Sequence, residues 1–404
     1  MAPAISNLSY SPTAVYVGAD NGTTTVSGRF SFFTTNGGLA TLSVSVADTS
    51  GATLNRLTTP VPAGTGAAGT MEARLTIGTA VAGDYTFRVM VTDLAGLASN
   101  ELVGTFRIAA DFPWIAKANM PYAPGLGFAA GGGGGRIYVV GEHPAVQIYD
   151  IAADTWSSSA PIPNVHGRGA VVVELGGIVY VIGGYDGVTR SLSLKVDALD
   201  VATGKWSARA PLPTPREGAA GAVIGRRICV AGGQISPPLV LYVLVMESMD
   251  CYDPVTDTWS PAPPMPRGRS YFSLVVIGDF AYAVGGLRTW ATPSIPTGWN
   301  GSTDRFDIPN DVWSTGPTML TTRGGPGAAG TGGLLYVIGG YGTDVSLKYL
   351  TTVEAYNPAV GTWFAKTPMP TALEAPVAVQ AGDDIYVFDT LGRSLRYTPS
   401  KDIL

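Results

Sequence analysis

Five short segments of this sequence set a charged side chain between a turn and a run of small residues: NVHGRGA, TPREGA, PRGRSYF, TTRGGPG and TALEAP. They supply Arg168, Arg216, Arg269 with Arg267 beside it, Arg323 and Glu374 at related positions. A guanidinium presents its N–H donors in a rigid fork that grips a carboxylate or phosphate at two points. Four of them on one rim would focus positive potential on an acidic ligand. Arginines in such loops also serve by binding neighbouring backbone carbonyls, and the sequence leaves both uses open.

A second set of segments follows glycine pairs: YDGVTR, QISPPLVLYVLV, LRTWATPSIPTGWNGS and YGTDVS. These offer Tyr185, Asp186, Arg190, Gln234, Arg288, Trp290, Trp299, Tyr341 and Asp344. Trp290 and Trp299 stand in a Pro/Gly-rich loop, where an indole outside a core is a natural binding residue. The apolar run at residues 239–246 exceeds what one strand needs, so it reads either as a covering hairpin or as an exposed patch.

Other chemistries lack their parts. There are only two histidines, His143 and His166, and no GxSxG elbow, so a Ser-His-Asp triad is hard to build. Cys229 in RRICVAGG and Cys251 in MDCYDP fall on neighbouring predicted strands, where a disulfide and two buried thiols both fit. With no CxxC pair and no further ligands nearby, neither a metal nor another cofactor is expected. If the site is catalytic, the acid/base candidates are Glu374 and Glu217, with Glu142 and Asp186 behind them.

Charge and hydropathy narrow the partners. The 25 basic and 30 acidic side chains give a net charge of −5 with no Lys/Arg cluster, which argues against nucleic acid and anionic membrane surfaces. No run approaches the roughly 20 apolar residues of a membrane-spanning helix. Low charge, Thr/Ser/Gly/Ala-rich strands and the absence of lysine before Lys117 lead us to expect an exported bacterial protein whose signal has been removed.

The elements that must position these residues are strands. The 53 glycines and 30 prolines punctuate short Val/Ile/Tyr/Thr runs, an all-β profile. Residues 1–110 alternate apolar and polar: in YTFRVMVTD, Tyr85, Phe87, Val89 and Val91 share one face, and Thr86, Arg88 and Met90 the other. About seven such strands predict a β-sandwich. Its closing segment AGDYTFRVMVTDLAGLASN resembles the last strands of Ig-like modules of bacterial surface proteins, without the Cys–Trp–Cys pattern of antibody domains.

From residue 111 to 404 tryptophan sets the rhythm. Trp114, Trp156, Trp206, Trp259, Trp313 and Trp363 are spaced by 42, 50, 53, 54 and 50 residues. Between them recurs a strand ending in a glycine pair, a loop, a strand closing in turns such as MDCYDP or VEAYNP, the tryptophan, and a PLP or PMP turn. Such self-similarity marks a repeat fold. The segment resembles Kelch repeats. That resemblance implies a six-bladed β-propeller closed by pairing of the strand around Trp114 with the C-terminal strand, with the tryptophans in the core and ligands at one mouth of the central channel. In Kelch propellers that bind acidic peptides, arginines line such a mouth.

The leading expectation is therefore a binding protein. Arg168, Arg216, Arg269 and Arg323, flanked by Tyr185, Trp290, Trp299 and Tyr341, would hold an acidic peptide or glycan. Galactose-oxidase-like copper enzymes share this domain partnership, but their radical site needs more histidines than this chain has. The six-bladed bacterial sialic acid mutarotases also resemble the propeller. That likeness carries the alternative, a sugar isomerase using Glu374 or Glu217 with the same arginines.

Overall fold

In the computed structural model the described residues are all except 18–21, 49, 188, 236–242, 289, 293–294, 297, 343–348 and 403–404, together with the side chains of 290–292 and 295–296. The chain divides into two compact units at Phe112/Pro113.

In the first unit, alternation places one face of most strands in a common core. A three-stranded sheet has the order Ala4–Ser11, Thr23–Phe33, Ala68–Gly78. A five-stranded sheet has the order Ala14–Tyr16, Leu102–Ala109, Gly83–Asp93, Leu39–Ala47, Thr53–Pro60, its Ala14–Tyr16 pairing parallel to the neighbouring strand. Tyr85, Phe87, Val89 and Val91 are buried in this core with Phe30, Val44 and Phe106. The unit thus has eight strands among the described residues, where the pattern yields about seven. The one without a sequence signal is Thr53–Pro60, all eight residues of which are exposed.

The second unit consists of four-stranded antiparallel sheets, six among the described residues. They span residues 129–161, 171–208, 220–262, 273–318, 327–366 and 377–397, the last completed by Trp114–Ala116. There Tyr397 pairs with Trp114 and Leu395 with Ala116. The first strands pack side by side into a closed ring, that of the sixth sheet touching that of the first. Small residues make this crowding possible: a Cβ on Gly131 would sit 3.0 Å from the Val172 carbonyl oxygen, and one on Gly221 2.2 Å from Val171. The second strands, Ile178–Ile182 and Leu334–Ile338 among them, bury their last four residues because neighbouring sheets cover both faces.

The periodic tryptophans staple sheet to sheet. Each indole N–H donates to a backbone carbonyl near the end of the preceding sheet, for example Trp156 to Ala118 at 2.8 Å, Trp259 to Ala210 at 2.9 Å and Trp313 to Pro263 at 2.9 Å. Trp114 does the same at the ring's junction, donating to Thr367 at 3.0 Å. Five of the six also pack on an aromatic of the third strand, as Trp259 on Tyr252 at 5.2 Å, whereas Trp206 faces Leu199.

Candidate functional site

The loops that carry the four arginines enter the first strands, and three of these side chains turn inward. Arg216, Arg269 and Arg323 are 1%, 0% and 0% exposed. In each, Nη1 donates to the carbonyl of the first residue of the glycine pair: Gly232 at 3.3 Å, Gly285 at 3.2 Å and Gly339 at 3.0 Å. Nη2 pairs with a carboxylate on the third strand of the same sheet, Asp250 at 2.6 Å for Arg216, Asp304 for Arg269 and Glu354 for Arg323. Burial pulls each guanidinium below the usual arginine range while its carboxylate opposes the shift. The expectation of a four-arginine rim is corrected accordingly: these three are internal bolts, and they present no fork to a ligand.

Arg168 differs because its loop carries one extra residue. Here His166 fills the bolt position, its Nδ1 3.0 Å from the Gly183 carbonyl and its Nε2 2.9 Å from Asp197 on the third strand. The bridging partners confirm the register. Arg168 faces Tyr185, Glu217 faces Gln234, Ser270 faces Leu287 and Gly324 faces Tyr341. Arg168 is therefore equivalent to Glu217, one place beyond the bolt, and its side chain is 46% exposed.

At the next position four backbone hydrogen bonds link successive loops. Gly169 N–H donates to Gly127 O at 2.6 Å, Gly218 to Gly169 at 3.0 Å, Tyr271 to Gly218 at 2.7 Å and Gly325 to Tyr271 at 3.0 Å. All five residues have positive φ, and in this set only Tyr271, at 48°, is not glycine. A bulky side chain in the left-handed region is costly and persists where the surroundings enforce it. The ring of Tyr271 lies against Gly218, where a Cβ would come within 3.0 Å of it. Burial and the nearby Glu217 push the phenol above its usual range.

Glu217 is the hub of this mouth. It is 4% exposed and receives Arg168 Nε at 3.1 Å and Gln234 Nε2 at 3.1 Å, while Ser270 Oγ donates to Gln234 at 2.8 Å. Burial works against the charge on Arg168, but Tyr271 and Glu217 outweigh it and hold the guanidinium above its ordinary value. Arg168 also lies over the Tyr185 ring, 5.1 Å from its centroid.

Around the fifth and sixth sheets stands an aromatic and acidic group. Trp299 stacks on Tyr341 at 6.0 Å and fits against Gly324, where any Cβ would strike the indole. Tyr349 packs on Tyr341 at 4.9 Å, and its hydroxyl donates to Glu374 at 2.5 Å. Burial, then Glu374, push the Tyr349 phenol up. Of the expected residues, then, the mouth gathers Arg168, Tyr185, Glu217, Trp299, Tyr341 and Glu374. Asp344, the side chain of Trp290 and residues 239–242 of the apolar run lie outside the described residues.

Two cavities adjoin. One of about 210 Å³ runs along the first strands and reaches Tyr271. The other, of about 440 Å³, lies between loops of the first and second sheets and is lined by Glu142, His143, Asn164, His166, Arg168 and Tyr185 among others. Cys229 and Cys251, direct partners across two strands, form a disulfide. Among the described residues no group of three or more His, Cys, Asp or Glu could hold a metal ion, and no helix is long and apolar enough to cross a membrane.

Sequence reasoning passed over Tyr271, Tyr349 and the bolt role of His166. One signal was present. The bolts precede the glycine they bind by 16 residues at Arg216, Arg269 and Arg323, and His166 precedes Gly183 by 17. Arg168, at 15, breaks that spacing.

Comparison with known proteins agrees with this geometry. Residues 166–213, 215–266 and 322–370 match the Kelch motif. The chain is 28% identical over 282 residues to Kelch-like protein 25 of Xenopus tropicalis, covering 64% of this chain and 43% of that one. It is 29% identical over 224 residues to Kelch-like protein terF of Aspergillus terreus, covering 54% and 47%. With Beta-scruin of Limulus polyphemus it shares 27% over 273 residues, 64% of this chain and 28% of the other. The chain thus spans less than half the length of these relatives. The solved structure of YjhT superposes with a TM-score of 0.59 at 16% identity, over 69% of this chain and 95% of that one, a likeness of fold. The second unit thus carries Kelch motifs on a closed ring of four-stranded sheets.

Proposed function

We propose that this chain is an exported bacterial recognition protein, an Ig-like sandwich followed by a six-bladed propeller, whose channel mouth holds a glycan. The observation that carries this reading is Tyr271, a bulky residue kept at φ 48° where its equivalents Gly127, Gly169, Gly218 and Gly325 are glycines and Ala375, at φ 44°, carries only a methyl, beside the Glu217–Arg168 pair. Strain maintained at a polar mouth is a mark of a functional position. Arg168, Glu217, Gln234 and Tyr271 offer planar donors and acceptors, and Trp299 and Tyr341 offer ring faces for sugar. A glycan is favoured over an acidic peptide because three of the expected arginines are buried in internal ion pairs and the fourth is already engaged by Glu217. The disulfide and the low charge support export, since disulfides persist in oxidising compartments.

A second reading, acid/base chemistry on a sugar, draws on the contact between Glu217 and Tyr271 and on the Tyr349–Glu374 hydrogen bond, each of which places a carboxylate beside a hydroxyl. Glycan and acidic-peptide arrays on the wild type, Tyr271→Gly, Arg168→Ala and the loop control Arg190→Ala test the proposal. Saccharide binding that survives only in the wild type and the control is the expected result. Binding of acidic peptides alone, or of nothing, would overturn it. Conversion of a bound reducing sugar, followed by proton NMR, would favour the second reading.

A further inference from the structure

Resting on that reading, we infer that His166 is a proton-dependent positioning residue for Arg168, so that the mouth is set by pH through the second sheet alone. The argument begins with donors and acceptors. Gly183 O can only accept, so the Nδ1 facing it at 3.0 Å carries a hydrogen. Nε2 faces Asp197 Oδ2 at 2.9 Å, and Asn164 Nδ2 donates to both oxygens of the same carboxylate at 3.0 and 2.9 Å. With Asp197 ionised, both ring nitrogens must donate, and the imidazole is an imidazolium. Burial raises the cost of charge on Asp197, yet the hydrogen bonds from His166 and Asn164 prevail and hold its carboxyl below the usual range.

The other bolts cannot release this charge. Arg216, Arg269 and Arg323 bind the equivalent carbonyl and an equivalent carboxylate as guanidiniums, which stay protonated at any physiological pH. Histidine changes charge within roughly pH 5 to 8. Loss of its proton leaves either the Gly183 carbonyl or the Asp197 carboxylate facing a bare ring nitrogen inside the protein.

The consequence reaches Arg168 because the loop is tight. A Cβ on Gly184 would sit 2.1 Å from the His166 carbonyl oxygen, and one on Gly167 2.1 Å from that of Tyr185. Arg168 and Tyr185 exchange backbone hydrogen bonds at 3.2 and 2.8 Å. Any shift of His166 is therefore passed to Arg168 and to its bond with Glu217. The charged or titratable side chains facing this region are Asp197 from the third strand, Glu142 and His143 across the 440 Å³ cavity, Tyr185 and Asp186 from the loop after the glycine pair, Tyr271 beside the mouth, and Arg168 with Glu217. His143 lines the same cavity, and its own substitution separates its contribution.

The test follows the Nε–H resonance of Arg168, assigned by its loss in Arg168→Lys, from pH 5.5 to 8.5 in the intact chain without ligand. We expect a one-proton titration of this signal in the wild type and in His143→Gln. In His166→Arg, which restores the bolt of the other sheets, the signal should stay flat. A flat wild-type signal, or a titration retained in His166→Arg, overturns the inference. Because no ligand enters the measurement, failure of glycan binding with a titrating Arg168 would reject only the recognition reading. Should His166→Arg fail to fold, His166→Gln, neutral throughout, must likewise abolish the titration.

Discussion

The loop into the second sheet and the loops into the third, fourth and fifth meet the same packing demand with different cations. Each must tie the glycine-pair carbonyl to a carboxylate on the third strand. Arg216, Arg269 and Arg323 do so with a permanent charge and sit 1%, 0% and 0% exposed. His166 does so with a conditional one, and the loop that carries it also holds the arginine that faces the mouth. The difference teaches that an arginine in register with the repeat is structural, while one out of register is free for function. The loop that bears Arg168 is thus also the one tied by a histidine.

The largest expected effect breaks the permanent side of this comparison. Arg269→Ala leaves Asp304, fully buried, without its hydrogen-bonded cation and with only Arg267, 4.0 Å away, to offset its charge. Such a loss costs about 3–5 kcal/mol, whereas replacing both partners with apolar residues of similar volume is often near neutral. Equilibrium urea unfolding of Arg269→Ala and of the double variant Arg269→Met with Asp304→Leu should therefore show a severe loss in the first and substantial recovery in the second. Equal losses would mean that Arg269 acts through packing and not as a bolt.

The third sheet has a second anchor, and that sharpens the comparison. Cys229–Cys251 closes a stretch of 22 residues within the sheet that contains Arg216. Removing it by Cys229→Ala with Cys251→Ala should cost roughly 3 kcal/mol on the chain-entropy account. Arg216 binds Asp250, the neighbour of Cys251 on the third strand, so Arg216→Ala should be less damaging in the oxidised chain than in the reduced one. Thermal melts with and without reductant check this, and additivity of the two losses would show that the anchors act independently.

Much of the architecture was legible because it rests on patterns that packing enforces everywhere. The buried alternation at Tyr85, Phe87, Val89 and Val91 and the tryptophan interval reflect burial that no single neighbour can override. The site was less so. Arg168 and Arg216 look alike in their local motifs and differ in the text only by one residue of spacing to the glycine pair, whose meaning the bridge of Arg168 to Tyr185 makes plain. Tyr271 gave no signal, since a left-handed φ at a non-glycine residue is imposed by the backbone hydrogen bonds between loops and not by local propensity. Thr53–Pro60 escaped notice for a related reason: a strand exposed on both faces has no apolar face to write into the sequence.

Tyr271 allows the strain itself to be measured. Tyr271→Gly and Tyr271→Ala remove the same ring but differ in their tolerance of φ 48°. The glycine variant should be the more stable by about 1 kcal/mol, read as a shift in urea midpoint at constant slope. No difference would mean that the loop relaxes when the ring is gone, so that the side chain, and not the hydrogen-bonded backbone, imposes the conformation.

The smallest effect contrasts the inner bolts with a carboxylate on the outer edge. Asp154 accepts Tyr149 Oη at 2.6 Å and Ala118 N at 3.0 Å, and pairs with Lys117 at 2.8 Å. Lys117 first, then Tyr149 and the Ala118 amide, hold its carboxyl at about 2 against an ordinary 3.8. A depressed folded-state value means that the stabilisation is complete above about pH 4 and is lost as pH falls towards 2. Because the side chain is 39% exposed, solvent screening reduces the contribution to about 1 kcal/mol. Asp154→Asn retains a residue that tolerates the observed φ of 54°. It should be less stable than the wild type by that amount at pH 6, and the two unfolding curves should converge near pH 2. A gap that persists at pH 2 would assign the cost to lost hydrogen-bond geometry, and the outer edge would then resemble the bolts, whose ties do not depend on a proton.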